Sequence, residues 1–126
     1  MKLSHCLLVL TALVGSGFPA EEFHFAGFLP TKSGQREREV TAAGEREVTT
    51  IFFESPYRLV KTLALFGEKF SARTLCVARE LTKHFEEFRL GSGTDLAAHY
   101  TAHPPKGEIT LLVRGLSRRE VRDAQG

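Results

Sequence analysis

The sequence predicts an α/β domain, a mixed sheet of about five strands flanked by helices. Two near-continuous apolar runs bounded by charged residues, 74–78 and 109–113, have the pattern of strands covered on both faces. Residues 49–53 are rich in β-branched and aromatic side chains, which favour a strand, and a helical apolar pattern follows them. Buried strands alternating with helices are typical of a layered α/β domain.

Length and composition indicate the size of the domain but do not identify a binding partner. A chain of 126 residues with 42% hydrophobic composition is expected to form one domain with a modest core. The formal net charge of +2 is too small to identify a nucleic-acid binder, since that inference needs a concentrated basic face. Function must therefore be inferred from local motifs.

The N-terminal segment predicts a buried helix over about 7–14, ended by Gly15 and Gly17. Lys2, the apolar stretch after it and the small residues 15–17 also imitate a secretion signal. The stretch is too short to span a membrane and has no clear Ala-x-Ala cleavage site, which favours the helix. The signal remains the second alternative.

Residues 23–26 predict a strand that leads into a turn at 27–30. The next segment is polar and contains the pentapeptide Glu-Arg-Glu-Val-Thr twice, at 37–41 and 45–49. Two short copies do not make a solenoid. We expect the first copy to form an exposed helix and the second to lead into the next strand.

A well-marked helix is predicted after residue 54, with Ser55 as its cap, Pro56 at its first position and Gly67 at its end. Its expected buried stripe consists of Leu59, Val60, Leu63 and Ala64.

Residues 86–90 predict an outer strand, and Thr94 is expected to cap a short helix. The inward side chains of that helix are expected to be Leu96, Ala97 and Tyr100.

Cysteines and histidines give little indication of a metal site. Cys6 and Cys76 lie far apart, and Cys76 lies inside an apolar run, so a buried free thiol in a reducing cytoplasm is the preferred interpretation. His99 and His103 have helical spacing, but Pro104 argues that the helix has ended. We expect no metal.

Three motifs set polar residues at the ends of apolar runs, where an open α/β sheet gathers a ligand site. They are Thr50-Ile-Phe-Phe-Glu-Ser-Pro-Tyr-Arg58, Ala78-Arg-Glu-Leu-Thr-Lys83 and Pro105-Lys-Gly-Glu108. Together with Leu10-Thr-Ala-Leu13, Gly17-Phe-Pro19 and Gly27-Phe-Leu-Pro30, this order resembles the C-terminal half of ribosomal RNA small subunit methyltransferase I, a tetrapyrrole-methylase-like family. The resemblance covers about residues 10–115.

The resemblance implies a division of the chain and a function. Residues 1–18 are expected to be a residual helix from an interdomain junction, 19–115 the methyltransferase C-terminal domain, and 116–126 a polar tail. The family uses S-adenosylmethionine to methylate the ribose 2′-hydroxyl of a cytidine in small-subunit (16S) ribosomal RNA. The implied partners are that RNA or the 30S subunit and a second copy in a cytoplasmic homodimer.

Two alternatives stay open beside that function. One is a truncated, non-catalytic fragment that serves in dimerisation or RNA binding. The other keeps the methyltransferase but changes the acceptor to a tetrapyrrole or a modified histidine, although the motif at 78–83 favours the ribosomal branch.

Site residues follow from the resemblance, position by position. Glu54 and Glu80 are the candidate catalytic residues, for orienting the ribose or receiving a proton. The implied cofactor-binding residues are Phe53, Glu54, Leu81, Thr82, Gly107 and Glu108. The expected contacts to RNA phosphate are Arg58, Arg79, Lys83, Lys32 and Arg36. Core packing for Phe53 and mutual salt bridges for the charged residues are the competing explanations.

Overall fold

The structure, a computed structural model, describes residues 3–81, 83, 84 and 86–116. Thr82 and all but the first residue of the expected polar tail lie outside this range. The elements are α1 (Leu3–Ser16), β1 (Phe23–Phe28), α2 (Ser33–Glu45), β2 (Thr49–Glu54), α3 (Leu59–Lys69), β3 (Leu75–Arg79), β4 (Glu87–Gly91), α4 (Gly93–Ala102) and β5 (Ile109–Val113). The predicted fold class, a mixed five-stranded α/β sheet, is confirmed.

The sheet has the strand order β1-β2-β5-β3-β4. β1 and β2 are parallel, and β5 runs antiparallel to both β2 and β3. Ile109 at the start of β5 therefore lies opposite Glu54 on one side and Arg79 on the other. The C-terminal ends of β1, β2 and β3 and the start of β5 share one edge, which we call the strand-end edge.

Helices cover both faces of the sheet. α1 packs on one face, where Ile51 and Cys76 lie in the same apolar cluster as Val9, Ala12 and Leu13. The other face carries a larger cluster that includes Phe52 and Val77 from the strands and residues of α2, α3 and α4. The predicted interior strands, β3 and β5, are buried along almost their whole length, as expected for strands covered twice.

The prediction of a buried first helix is only half right. Val9, Ala12 and Leu13 face the sheet, whereas Leu7, Leu10 and Val14 are 55%, 51% and 77% exposed. The apolar pattern continues all round this helix, but the sheet can cover one side only. Among the described residues, no helix has the length and apolar character needed to cross a membrane.

α3 begins later than predicted. Ser55 does not cap it, because the Ser55 hydroxyl accepts a hydrogen bond from the Tyr57 amide in a preceding turn (3.2 Å). The helix starts at Leu59, after a turn in which the Arg58 amide donates to the Ser55 carbonyl (3.1 Å). Serine followed by proline is typical of both arrangements, and the local sequence does not distinguish them.

α3 also ends later than predicted, because Gly67 lies inside it. A Cβ at this position would lie 2.7 Å from the Thr94 amide nitrogen, so glycine is required for the contact with α4 rather than for a helix stop. Ala64 points to solvent, and Thr62 and Phe66 are buried instead.

α4 is capped by Ser92 rather than Thr94. The Ser92 hydroxyl accepts a hydrogen bond from the Asp95 amide at 3.1 Å, the usual N-cap contact. Leu96 and Tyr100 are buried, as predicted.

Candidate functional site

The strand-end edge brings together residues that are distant in sequence. Phe53 and Glu54 end β2, Arg79 ends β3, and Glu108 directly precedes β5. The antiparallel pairing of β5 with both neighbours places these positions side by side. The three motifs singled out in the sequence therefore meet at one edge, as expected for a ligand site of an open sheet.

A pocket of about 70 Å³ opens at this edge on the α1 face. Its lining residues are His5, Leu8, Phe28, Phe53, Glu54, Glu108, Ile109 and Thr110. We call this the aromatic pocket. Aromatic side chains with a few polar groups are typical of sites for flat organic ligands.

The cluster of phenylalanine side chains at this pocket depends on a bulge in β1. The pairing register shifts between Phe25 and Gly27, and Gly27 has a φ of 74°. Phe25 and Phe28 therefore face the same side of the sheet, with ring centroids 5.2 and 5.3 Å from that of Phe53. The sequence alone does not predict Phe28 as a site residue, although Gly27 indicates irregular backbone at this point.

His5 is a second member of this pocket that the sequence analysis missed. Its ring centroid lies 5.4 Å from that of Phe53. The position follows from α1, which packs across the same face of the sheet and carries His5 near its first turn.

Glu54 is buried, and both of its carboxylate oxygens have partners. Oε1 accepts a hydrogen bond from the Ser55 amide at 2.8 Å, and Oε2 accepts one from the Thr62 hydroxyl at 2.7 Å. The Nε of Arg58 lies 3.5 Å from Oε1. These contacts offset the cost of burying the charge and fix the turn between β2 and α3.

Glu80 lies next to the loop that leads into β5. It has a φ of 54°, a left-handed conformation that is uncommon outside glycine. Its carboxylate lies over Gly107, so closely that a Cβ at Gly107 would overlap Glu80 Oε1. Lys83 Nζ is 3.6 Å from Glu80 Oε2, and Arg79 Nη2 donates to the Lys106 carbonyl at 3.1 Å.

Two observations favour glycine at position 107. Its φ is 80°, and the space beside its Cα is filled by Glu80. In this structure the residue that comes closest to Gly107 is therefore Glu80, which follows the end of β3.

The cationic candidates differ in accessibility. Lys32 and Lys83 are exposed, and the side chain of Arg58 is 35% exposed. Arg36 is buried, and its Nε donates to the Pro30 carbonyl at 3.1 Å. This contact ties α2 to the loop after β1, which carries Lys32.

The remaining candidates contribute differently. Leu81 is buried in the cluster beneath α1. Thr82 lies outside the described residues.

Cys6 and Cys76 are free thiols, and burial raises the pKa of Cys76 to about 12. No group of three histidine, cysteine or acidic residues in the described ranges could hold a metal ion.

Two solved structures that share this fold are methyltransferases. The methyltransferase CobJ superposes with a TM-score of 0.62 at 17% identity, over 85% of this chain and 47% of that protein. Cobalt precorrin-4 methyltransferase superposes with a TM-score of 0.63 at 13% identity, over 85% and 48%. The described chain therefore has the fold of a tetrapyrrole methylase domain.

Sequence comparison identifies the particular relatives, although no family model matches the chain. It is 46% identical over 104 residues to ribosomal RNA small subunit methyltransferase I of Erythrobacter litoralis, covering 82% of this chain and 37% of the relative. The enzyme of the same name from Mesorhizobium japonicum is 48% identical over 106 residues, covering 82% and 36%. The chain is thus a homologue of ribosomal RNA small subunit methyltransferase I, and it spans little more than a third of these relatives' length. The resemblance expected from the three motifs is confirmed.

Proposed function

We propose that this chain is the C-terminal part of an S-adenosylmethionine-dependent enzyme that methylates the ribose 2′-hydroxyl of a cytidine in small-subunit ribosomal RNA. Residues 19–115 form its methyltransferase domain, and residues 1–18 supply a helix from an interdomain junction. The enzyme acts as a cytoplasmic homodimer on the RNA or the 30S subunit. The homology supports the family assignment, and the meeting of the three motifs at the strand-end edge supports the site.

The observation that carries the proposal is the aromatic pocket. Phe28 and Phe53 offer apolar ring faces to a flat heterocycle, and Glu108 and the backbone before β5 offer acceptors and donors at its rim. We assign the adenine ring of S-adenosylmethionine to this pocket. A pocket of about 70 Å³ accepts only part of the cofactor, so the rest of the cleft is assigned to a second domain.

The described residues fit a reaction that depends on positioning. The cofactor, when bound, supplies a methyl group on a sulfonium, and transfer needs in-line alignment with the ribose oxygen. Holding the reactants in line provides much of the acceleration. A base that removes the hydroxyl proton adds roughly two to four powers of ten.

The two candidate carboxylates have different contacts and therefore receive different roles. Both oxygens of Glu54 are engaged, one by the turn and one by Thr62 in α3, so we assign Glu54 to positioning Arg58 and the end of β2. Glu80 is partly exposed, and its one described ion pair, to Lys83, is 3.6 Å long. Glu80 is therefore the better candidate for the proton acceptor.

Contacts to RNA phosphates are assigned to cations beside the edge. Lys32, Arg58 and Lys83 present exposed or partly exposed charges there. Arg36 acts indirectly, by holding the loop that carries Lys32.

Isothermal titration of the chain with S-adenosylmethionine tests the cofactor site. We expect saturable binding in the micromolar range, weakened about tenfold by Phe28→Ala, since aromatic stacking on a base contributes about 1–3 kcal/mol. Phe28 is 68% exposed, so the substitution leaves the core intact. Glu108→Gln should also weaken binding, and Glu68→Gln, on the exposed side of α3, is the matched control. Absence of heat from a folded sample would refute cofactor binding by this chain.

The chemistry is tested separately with S-adenosylmethionine labelled in the methyl group and small-subunit ribosomal RNA. A ribose 2′-O-methyl group blocks alkaline cleavage of the adjacent phosphodiester, so the label should remain in an alkali-resistant dinucleotide containing cytidine. Label in a mononucleotide released by alkali would indicate a base as the acceptor and would contradict the assignment to the ribose.

A specific observation favours a second function. Leu7, Leu10 and Val14 form an exposed apolar stripe on α1, which suits a protein interface. If the chain binds no cofactor, a non-catalytic dimerisation or RNA-binding role becomes the better proposal. Sedimentation of the wild-type chain and of Leu10→Ser tests whether this stripe is an interface, because only an interface predicts a change of mass. The titration with S-adenosylmethionine separates the two functions, because only the catalytic one requires the cofactor to bind.

A further inference from the structure

A second concavity lies on the opposite face of the sheet from the aromatic pocket. It has a volume of about 390 Å³ and lies between β3, β4 and α4. Its lining residues include Arg79, Glu87, Arg89, His99, Tyr100 and His103. We call it the arginine cleft. It is rich in nitrogen donors and has a single carboxylate.

That carboxylate, on Glu87, is shared by three neighbours. Oε1 accepts a hydrogen bond from the Tyr100 hydroxyl at 2.7 Å. Arg79 Nη1 lies 3.7 Å from Oε2, and Arg89 Nε lies 3.8 Å from Oε1. Two guanidinium groups thus share one carboxylate, which leaves the cleft with a net positive charge before either histidine is protonated.

Each of the two arginines also has a donor that makes no hydrogen bond, although the Arg89 donor lies at ion-pair distance from Glu87. The Nε atoms of Arg79 and Arg89 are buried and have no hydrogen-bond partner among the described residues. A buried donor without an acceptor costs roughly 1–3 kcal/mol. An anion with several oxygens would provide acceptors for both nitrogens and would balance the charge.

The histidines place titratable nitrogens beside the arginines. The rings of His99 and His103 stack with centroids 4.7 Å apart. The pKa of His99 is lowered by desolvation, by the positive charges of Arg89 and Arg79 and by His103, whereas Glu87 acts in the opposite direction. A bound anion should act in the opposite direction and raise the pKa of His99.

We propose that the arginine cleft binds a phosphate group and that its occupant in the cell is a phosphodiester of the RNA substrate. Guanidinium groups pair well with phosphate oxygens, because their planar forks donate two hydrogen bonds together. Arg79 also contacts the Lys106 carbonyl in the loop that leads to Glu108. The cleft therefore adjoins the strand-end edge, where the proposed function places the ribose. The RNA assignment rests on that proposed function.

Nuclear magnetic resonance of the histidine imidazoles tests the proposal without any methyl transfer. The 126-residue chain is titrated with inorganic phosphate and, separately, with a short single-stranded RNA. Phosphate should shift the His99 signals in a saturable way and raise the pKa of His99. RNA should compete with phosphate for the same shifts.

Variants make the test specific to the cleft. Arg89→Gln should weaken phosphate binding about tenfold, and Arg38→Gln, on the exposed side of α2, should leave it unchanged. If Arg89→Gln does not fold, His103→Gln, at the exposed rim, should still weaken binding severalfold.

Two results would overturn the inference. Phosphate that causes no saturable shift of His99, or an equal loss in Arg38→Gln, would exclude the cleft as a phosphate site. Phosphate binding that RNA does not displace would refute the RNA assignment. Neither result involves S-adenosylmethionine, so this failure is distinguishable from failure of the methyltransferase proposal.

Discussion

Replacement of Gly67 by alanine should destabilise the protein, although alanine is the better helix former. A Cβ at Gly67 would lie 2.7 Å from the Thr94 amide nitrogen and 3.1 Å from its Cα, and would overlap the Thr94 hydroxyl. These are mostly backbone atoms, so no side-chain rotation relieves the contact, and α3 and α4 must separate. Overpacking costs about 1–3 kcal/mol, and alanine in a helix interior recovers about 1 kcal/mol. Because the overlap is mostly with backbone atoms, we take the cost near its upper limit and expect the free energy of unfolding to fall by about 2 kcal/mol.

Urea unfolding monitored by far-ultraviolet circular dichroism measures this loss. Gly34→Ala is the matched control, since Gly34 also lies in a helix and the nearest atom to an added Cβ is Arg38 Nη1 at 3.9 Å. That variant should gain about 0.5 kcal/mol from helix propensity. If the two variants have the same free energy of unfolding, the argument from the α3–α4 contact is wrong.

Three further predictions concern buried polar groups and the site loop. Because burial raises the pKa of Cys76, the neutral thiol stabilises the protein fully below pH 9.0, and this stabilisation is lost as pH rises toward about 12. Cys76→Ala should therefore reduce the fall in the free energy of unfolding over this pH range. Thr62→Val should cost about 1–3 kcal/mol in urea unfolding because Glu54 Oε2 loses its donor, whereas Thr62→Ser, which keeps the hydroxyl, should cost less; equal losses would contradict this explanation. Gly107→Ala should cost about 1–3 kcal/mol of stability through strain at a φ of 80° and should weaken S-adenosylmethionine binding by displacing Glu80; unchanged affinity would separate this loop from the cofactor site.

The strands and the site edge could be predicted from sequence because their signals are local. The apolar run of β5 matches its predicted limits, and β3 differs by one residue at each end. The polar residues at the end of β2, at the end of β3 and just before β5 gather at the expected edge because strand direction determines where they lie.

The ends of the helices and several site residues could not be predicted from local sequence, because they depend on the three-dimensional surroundings of each residue. Glycine is typical of a helix end, but Gly67 lies inside α3, where the close contact with Thr94 leaves no room for a side chain. Phe28 enters the aromatic pocket only because the β1 bulge reverses its direction. Arg36 is typical of an exposed helix in sequence, yet it is buried against the Pro30 carbonyl. The first outcome depends on a neighbour that is distant along the chain, the second on a backbone irregularity, and the third on the position of the Pro30 carbonyl in the loop before α2.

The central position of β5 has a consequence for synthesis on the ribosome. β2 and β3 are complete by Arg79, but they do not pair with each other, and both wait for Ile109–Val113. Until that strand emerges, each has an open edge, which is where extended chains associate wrongly. The strand-end edge also forms at this moment, because β5 brings Glu54 and Arg79 to opposite sides of one residue. Completion of the sheet and assembly of the site are therefore a single late event, and the nascent chain has neither the complete sheet nor the site before β5 is made.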